Sequence, residues 1–193
     1  MINLLIKILE IFTLDYIPRL PVQFRTKLYK TVLPLRKLRD RILLNKPKSQ
    51  FTFQDRIDFA RTSRVGYDYS GSRLIEYNQN VDFEKIENSE LEIYKFTPKN
   101  AKDDVYGIYF HGGGYVVSSV NTHDAWVKFL SPHLKARVFS LEYRLAPENK
   151  FPLALEDANS AIDWISKEKN IPISEISLCG DSAGGHLAAS LST

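Results

Sequence analysis

The hexapeptide Gly180-Asp181-Ser182-Ala183-Gly184-Gly185 directly follows the apolar run Ile176-Ser177-Leu178-Cys179 and carries the strongest structural signal in the chain. The short apolar run predicts a strand. The small residues at the end of the hexapeptide and directly after it predict a helix. A strand, a sharp turn that bears a serine and a helix form the setting of a G-x-S-x-G nucleophile elbow. In such a turn a Cβ atom on Gly180 or Gly184 would clash, and the Ser182 hydroxyl projects above the sheet.

A second glycine-rich motif lies upstream, where Phe110-His111-Gly112-Gly113-Gly114-Tyr115 ends another apolar strand. We call residues 111–115 the oxyanion loop, because backbone N–H groups exposed in such a loop can receive an oxyanion. The loop precedes Ser182 in the chain, which is the order that an acyl-transfer site of this kind needs. Together the two motifs predict a nucleophile and the donors that stabilise its reaction.

Length and composition exclude several classes of protein. A chain of 193 residues is long enough for one domain with a hydrophobic core, and its 44% hydrophobic and 25% charged residues are typical of a globular protein. The single cysteine, Cys179, excludes a disulfide framework and a cysteine-rich metal site. We interpret it as a small buried residue of the strand before Ser182, and a reducing, cytoplasmic location is favoured.

Charge is distributed unevenly along the chain. Residues 1–50 contain 11 Lys and Arg against three acidic residues, whereas the net charge of the whole chain is +3. A basic segment of this kind favours an anionic membrane surface. Nucleic acid is a poor alternative partner, because no nucleic-acid-binding motif accompanies the charge.

Residues 1–14 resemble a targeting segment at first sight, but their pattern is that of an amphipathic helix. Ile2, Leu5, Leu9 and Phe12 recur at spacings of three and four. Charged residues interrupt the apolar core, so the segment is not a signal peptide, and no stretch reaches the roughly 20 apolar residues of a membrane span. Two interpretations stay open: the helix packs on its own domain as part of a lid, or it makes peripheral contact with a membrane.

The region before residue 73 is predicted to form a helical cap. Between residues 16 and 47, helical segments are separated by four prolines. A short helix is expected over Thr52–Arg61 with Thr52 as its N-cap, followed by a turn-rich segment over Gly66–Gly71. We therefore divide the chain into a cap region, residues 1–72, and a core domain, residues 73–193.

From residue 73 onward the pattern alternates between strands and helices. Strands are expected first at Leu74–Tyr77 and then in a hairpin of Val81–Ile86 with Leu91–Phe96 at the sheet edge. The later elements are strands at Val105–Phe110, Arg137–Leu141 and Ile176–Cys179 and helices at His123–Leu134 and Leu153–Lys167. This alternation predicts an α/β fold with a mostly parallel central sheet and helices on both faces.

Four motifs, in order and at matching spacing, resemble those of the hormone-sensitive-lipase family of α/β-hydrolase esterases. They are His111-Gly112-Gly113-Gly114, Tyr143-Arg144-Leu145-Ala146-Pro147-Glu148, Phe151-Pro152-Leu153-Ala154-Leu155-Glu156-Asp157 and Gly180-Asp181-Ser182-Ala183-Gly184-Gly185. The resemblance implies a partial α/β-hydrolase fold with an N-terminal helical cap. It also implies hydrolysis of small-molecule carboxylic esters through an acyl-serine intermediate, without a metal or an organic cofactor.

The resemblance assigns the reacting groups to particular positions. It makes Ser182 the nucleophile, whose hydroxyl needs an adjacent base to take its proton. It makes the backbone N–H groups of Gly113, Gly114 and Ala183 the oxyanion hole. Glycine suits two of these positions because a missing side chain lets the amide face the substrate.

Residues next to these groups are interpreted as support. By resemblance, His111 and Gly112 hold the oxyanion loop in shape, His111 through hydrogen bonds rather than as the base. Tyr115 either lines the substrate pocket or serves in packing. The remaining histidines, His123, His133 and His186, are interpreted as partly exposed polar residues.

Two further sets of polar residues are given structural roles. The side chain of Asp181 is expected to point away from Ser182, so that Asp181 is not the acid of a catalytic triad. Arg144, Glu148 and Asp157 are expected, by resemblance, to form a buried polar network that fixes the loop after the fourth strand.

The catalytic triad of the family runs from serine to an acidic residue and then to histidine along the chain. Both later members fall on strand ends that this sequence lacks, so no residue here is assigned to either role. Two hypotheses follow: the N-terminal portion of an esterase that a C-terminal polypeptide completes, or a truncated, non-catalytic relative that binds ligands or partners. In both cases the strand Ile176–Cys179 is expected to be a bare edge, so that the chain alone is poorly soluble or needs a partner polypeptide.

Overall fold

The computed structural model describes residues 48–71, 80–87 and 89–192. The chain divides into two compact units with a boundary between Val65 and Gly66. The helical segments expected before residue 48 and the strand expected at Leu74–Tyr77 lie outside the described residues, and the boundary between cap and core at residue 72 stays a prediction. Across the described ranges, none of the helices combines the length and the apolar character required to cross a membrane.

The first helix, α1, spans Phe53–Gly71 after a short 3-10 turn at Lys48–Gln50. Thr52 caps it as predicted: the Thr52 Oγ1 accepts a hydrogen bond from the Asp55 amide (3.2 Å), and the Asp55 carboxylate accepts one from the Thr52 amide (2.6 Å). The predicted end at Arg61 and the predicted turn at Gly66–Gly71 are wrong, because the helix continues to Gly71. One internal glycine costs a helix about 1 kcal/mol, which does not suffice to end it.

Five strands form one mixed sheet in the order β1-β2-β4-β3-β5. They span Val81–Lys85 (β1), Ile93–Pro98 (β2), Tyr106–Phe110 (β3), Arg137–Leu141 (β4) and Ile176–Gly180 (β5). The predicted hairpin at the sheet edge is confirmed, since β1 and β2 pair antiparallel, and β2 pairs antiparallel with β4. Strand β3 runs parallel to both β4 and β5. The parallel part of the sheet therefore carries both glycine-rich motifs at its carboxyl ends.

Three helices of the core follow in the chain: α2 (Val120–Leu134), α3 (Leu153–Lys169) and α4 (Ala183–Leu191). Helix α2 begins three residues before its predicted start because Ser119 caps it: the Thr122 amide donates to Ser119 Oγ (3.3 Å) and the Ser119 amide to Thr122 Oγ1 (3.0 Å). Helix α3 begins where it was predicted to begin and ends two residues later. Lys135 and Asn170, in the left-handed region with φ of 52° and 51°, cap the C-terminal ends of α2 and α3.

Helices cover both faces of the sheet, as predicted. Successive strand residues point to opposite faces, so Ile108 and Phe110 pack in a cluster with α3 and α4, whereas Tyr109 packs in a second cluster with α2. The first cluster contains Ile93, Ile108, Phe110, Phe139, Leu141, Tyr143, Ala158, Ala161, Ile162, Ile165, Ile176 and Leu187. The second contains Val81, Phe96, Tyr109, Val120, Val127, Ala136 and Val138.

Strand β5 lies at one end of the described sheet. It pairs with β3 from Ile176 opposite Tyr106 to Gly180 opposite Phe110. Among the described residues no strand pairs with its other side, in keeping with the bare edge expected from the sequence. This pairing places Gly180 beside Phe110, so the serine turn and the oxyanion loop leave the sheet at adjacent positions.

Candidate active site

Ser182 sits on the sharp turn between β5 and α4. Its backbone has φ 50° and ψ −116°, a conformation that L-residues rarely adopt, and its side chain is exposed. The turn is held by two hydrogen bonds, from the Gly184 amide to the Asp181 carbonyl (2.8 Å) and from the His186 amide to the Ser182 carbonyl (3.0 Å). This is the strained strand–turn–helix geometry of a nucleophile elbow.

Close backbone packing explains the glycines on either side of Ser182. A Cβ atom on Gly180 would overlap the backbone of Gly184, and a Cβ atom on Gly184 would overlap the carbonyl oxygen of Phe110. The clash expected from the sequence is thus present at both positions. Helix α4 therefore approaches the end of β3 with no side chain between the two backbones.

The oxyanion loop owes its shape to two glycines in the left-handed half of backbone space. Gly113 has φ 119°, and a Cβ atom there would overlap the carbonyl oxygen of Val117. Gly114 has φ 62°, and a Cβ atom there would face open space. The carbonyl of Gly113 accepts hydrogen bonds from the amides of Val116 and Val117, both at 3.1 Å, so the loop closes on itself after the glycines.

Asp181 ties the oxyanion loop to the serine turn. Its Oδ1 accepts hydrogen bonds from the Gly112 amide (2.8 Å) and from the Tyr109 hydroxyl (2.7 Å), and Nε2 of His123 lies 3.4 Å from the same oxygen. A Cβ atom on Gly112 would overlap the Asp181 carboxylate, which explains the first glycine of the loop. Sequence reasoning removed Asp181 from the catalytic candidates but missed this anchoring role, which no spacing along the chain reveals.

The backbone amides assigned to the oxyanion hole are available to a ligand. Within the described part of the chain, the N–H groups of Gly113, Gly114 and Ala183 donate no hydrogen bond. The N–H of Gly112 donates instead to Asp181 Oδ1, and its shaping role stays a prediction. Ala183 is the first residue of α4, where helical N–H groups have no partner inside the helix and the helix dipole favours negative charge.

His111 is buried and takes part in the scaffold of the loop. Its Nδ1–H donates to the Gly112 carbonyl (2.7 Å), and its ring stacks on Tyr143 with centroids 4.3 Å apart. The Tyr143 hydroxyl donates to the His111 carbonyl (2.6 Å). Burial lowers the pKa of His111 from 6.5 to about 4, so the ring is neutral at pH 7. Nε2 makes no hydrogen bond with the described residues and lies 3.8 Å from Glu142 Oε1.

The other three histidines are engaged elsewhere. His123 contacts the Thr122 hydroxyl (2.7 Å) besides Asp181, and His133 contacts the Phe129 carbonyl (2.7 Å). His186 contacts the Tyr115 hydroxyl (2.6 Å). Within the described residues the Ser182 hydroxyl makes no hydrogen bond, to these imidazoles or to any other group.

Tyr115 ends the oxyanion loop in the left-handed region, with φ 63°. Its carbonyl accepts a hydrogen bond from the Ala146 amide (2.7 Å), and its half-buried ring lies 6.3 Å from that of Tyr143. It therefore stands between the loop after β4 and the start of α4. A part in substrate binding stays a prediction.

The polar network predicted after the fourth strand centres on Asp157. The buried carboxylate of Asp157 accepts hydrogen bonds from the Arg144 amide (2.9 Å) and from the Arg144 guanidinium, whose Nε lies 2.9 Å from both oxygens. The Asp157 side chain is 6% exposed but that of Arg144 is 46% exposed, so the network is buried at one end only. It fixes the chain directly after β4 to α3.

No group of three or more His, Cys, Asp or Glu side chains that could hold a metal ion occurs in the described ranges. The described groups offer an exposed hydroxyl on Ser182, the unpartnered amide of the next residue, Ala183, and two further unpartnered amides on the oxyanion loop. Such an arrangement suits nucleophilic attack on a carbonyl carbon, because negative charge then develops on the carbonyl oxygen.

Comparison with known proteins shows that the chain is similar to proteins of the alpha/beta hydrolase fold. Residues 107–193 match the sequence profile of the alpha/beta hydrolase fold. An arylesterase from Saccharolobus solfataricus is 39% identical over 111 residues, which cover 56% of this chain and 36% of the relative.

Two solved structures extend the match beyond the profile. A hormone-sensitive lipase from a metagenome library superposes with a TM-score of 0.61 at 28% identity, covering 77% of this chain and 47% of that structure. An esterase from the bacterial hormone-sensitive lipase family gives a TM-score of 0.58 at 31% identity, and the match covers 77% of this chain and 46% of that structure. The chain therefore spans about a third of the curated relative and about half of the solved structures. The predicted fold class, a partial α/β-hydrolase fold, is confirmed.

Proposed function

We propose that the chain belongs to the hormone-sensitive-lipase family of α/β-hydrolase esterases and that it forms the nucleophile half of a carboxylic ester hydrolase. The observation that carries this proposal is the strained, exposed Ser182 next to amides that have no partner in the described residues. The substrate class is a small carboxylic ester. No metal or organic cofactor takes part.

The proposed reaction begins with attack of Ser182 Oγ on the ester carbonyl carbon. The new C–O bond converts the carbonyl oxygen into an oxyanion, and the hydroxyl proton passes to a general base. The amides of Gly113, Gly114 and Ala183 receive the oxyanion; in a well-studied protease, losing one such donor costs about 2.7–4 kcal/mol of barrier. Collapse of the intermediate expels the alcohol and leaves the acyl group on Ser182, and water then releases the acid.

The general base and its acidic partner are proposed to come from polypeptide that corresponds to the remaining part of the relatives. Two facts support this: each described imidazole has a partner other than Ser182, and the chain spans about half of the solved relatives. A C-terminal polypeptide, in the same chain or as a partner, would also offer a strand to the free side of β5.

A cytoplasmic location and a peripheral membrane contact through residues 1–14 are proposed on the sequence alone. The amphipathic pattern and the basic charge of residues 1–50 support the contact. Co-sedimentation with anionic vesicles measures it. Binding that survives deletion of residues 1–14 would refute it.

The esterase proposal is tested by hydrolysis of p-nitrophenyl acetate and butyrate and by labelling with a fluorophosphonate. Both the 193-residue chain and the protein encoded by the complete locus are assayed. Ser182→Ala should lower the rate of the active form at least about 1,000-fold, because removing the nucleophile removes the acyl-enzyme route. Ser190→Ala, which changes an exposed serine on the same helix, is the matched control and should keep the rate.

The outcomes separate the two hypotheses for this chain. A fluorophosphonate adduct on the peptide that contains Ser182 would support the proposed nucleophile. Unchanged hydrolysis in Ser182→Ala would refute it. Absence of both hydrolysis and labelling from every form of the protein would favour a non-catalytic relative that binds ligands.

A further inference from the structure

Besides its contact with Asp181 in the serine turn, the oxyanion loop contacts helix α4 through Tyr115 and His186. The Tyr115 hydroxyl and Nδ1 of His186 are 2.6 Å apart, and the two rings meet edge to face with centroids 6.1 Å apart at 86°. A distance of 2.6 Å is that of a strong hydrogen bond. The contact joins residues on either side of the candidate site, and the Tyr115 ring also packs against the first core cluster.

The two contacts bracket the loop. Gly112 is bound to Asp181, the residue before Ser182, and Tyr115 is bound to His186, four residues after Ser182. Between these ties lie Gly113 and Gly114, whose amides have no partner in the described chain. The Gly113 and Gly114 amides therefore lie between two residues that are hydrogen-bonded to the segment around Ser182, Gly112 to Asp181 and Tyr115 to His186.

We propose that Tyr115 and His186 are positioning residues that set the distance of the Gly113 and Gly114 amides from Ser182. The proposal rests on the proposed function, since a fixed distance matters only if an oxyanion forms there. Neither side chain is assigned contact with the reacting atoms. Their effect passes through the loop backbone.

The physical argument is one of backbone freedom. Gly113 and Gly114 have no side chains to hold them, and glycine is the residue with the greatest conformational freedom. An oxyanion donor must lie within about 2.7–3.1 Å of the oxygen it stabilises, so a small displacement of a loosely held loop removes much of its benefit. The Ala146 amide already holds the Tyr115 backbone (2.7 Å), and the side-chain contact with His186 adds the restraint that couples this end of the loop to helix α4.

The contact needs one donor and one acceptor. Burial raises the pKa of Tyr115, so its hydroxyl stays protonated at neutral pH and is able to donate to His186 Nδ1. The ¹⁵N chemical shifts of the His186 ring report which ring nitrogen carries the proton, without any enzyme assay.

Four variants of the complete protein test the proposal. Tyr115→Phe and His186→Leu each remove the hydrogen bond and should each lower kcat about three- to tenfold, with KM changed less than twofold, because the loss falls on the transition state. The double variant should lose no more than either single variant. His186→Asn, whose amide lies where Nδ1 lies, should recover most of kcat. Tyr106→Phe, at the start of β3 and away from the loop, is the matched control.

A second measurement is independent of activity. Hydrogen exchange at the Val116 and Val117 amides, which close the loop on Gly113, should accelerate at least threefold in Tyr115→Phe and stay unchanged in Tyr106→Phe. The thermal midpoint should change by less than about 3 °C, since the contact is exposed.

Each result supports or overturns the inference. If Tyr115→Phe accelerates hydrogen exchange at Val116 and Val117 but the protein hydrolyses no ester, the restraint of the loop is supported and the proposed function is refuted. Ester hydrolysis that is the same in wild type, Tyr115→Phe and His186→Leu would refute the positioning role. Additive losses in the double variant, or unchanged exchange, would also overturn it.

Discussion

Lowering the pH should destabilise the protein through His111 well before its carboxylates are protonated. The side chain of His111 is 0% exposed, and burial lowers its pKa from 6.5 to about 4. The unfolded chain, where the pKa is about 6.5, takes up a proton that the folded chain refuses. His111 therefore contributes its full stability above pH 6.5, and this contribution is lost as the pH falls from about 6.5 towards 4.

The size of the effect follows from the two pKa values. A gap of about 2.5 corresponds to at most about 3.4 kcal/mol, since each pKa unit is worth about 1.36 kcal/mol. Linkage between proton binding and folding gives a loss of about 2 kcal/mol at pH 5 relative to pH 7.5. Glu142, whose Oε1 lies 3.8 Å from His111 Nε2, would attract an imidazolium, so these figures are upper values.

Urea unfolding between pH 7.5 and 5 measures this loss. In His111→Asn, an amide N–H can replace the donor to the Gly112 carbonyl but does not titrate. The free energy of unfolding that is lost between pH 7.5 and 5 should therefore be about 2 kcal/mol smaller than in wild type. His133→Asn, the same change at an exposed site, should keep the wild-type slope. Equal slopes in wild type and His111→Asn, or an NMR titration of His111 with a midpoint above pH 6, would refute the reasoning.

Two further predictions concern the packing around the serine turn. Gly184→Ala should give insoluble or unfolded protein, because the added Cβ has no space. Gly107→Ala is the control and should fold, because its Cβ would lie 3.5 Å from the nearest atom. A soluble Gly184→Ala protein with wild-type circular dichroism would contradict this. Asp181→Ala should lower the free energy of unfolding by about 2 kcal/mol, because it leaves the Gly112 amide and the Tyr109 hydroxyl without their acceptor. Asp181→Asn should lower it by less than half as much. Equal effects of the two variants in urea unfolding would count against the hydrogen bonds as the cause.

Much of the fold could be predicted from local pattern. The strands Arg137–Leu141 and Ile176–Gly180 and the helix α3 match their predictions within two residues, because apolar periodicity and turn residues are local signals. The end of α1 could not be predicted in this way. Gly66 and the tyrosines near it suggested a turn, but a helix that has already formed tolerates an isolated glycine.

The candidate site, like the fold, could be predicted only in part from the sequence. The positions of Ser182 and of the loop glycines follow from motifs in which residue type and backbone geometry are tightly coupled. The ties between the motifs do not. Asp181 meets Gly112, and His186 meets Tyr115, only because β3 and β5 are neighbours in the sheet, and that adjacency comes from long-range pairing.

One carboxylate oxygen links Ser182 to the loop that faces it. Because Asp181 precedes Ser182 in the backbone and binds Gly112 directly, the separation between nucleophile and loop runs through a few covalent bonds and one short contact. Slow twisting of the sheet, or rearrangement of the segments that would surround a substrate, leaves that separation nearly constant. Directed evolution of substrate range can therefore randomise the pocket walls, provided that libraries keep Asp181, Gly112 and the proposed positioning pair, Tyr115 and His186.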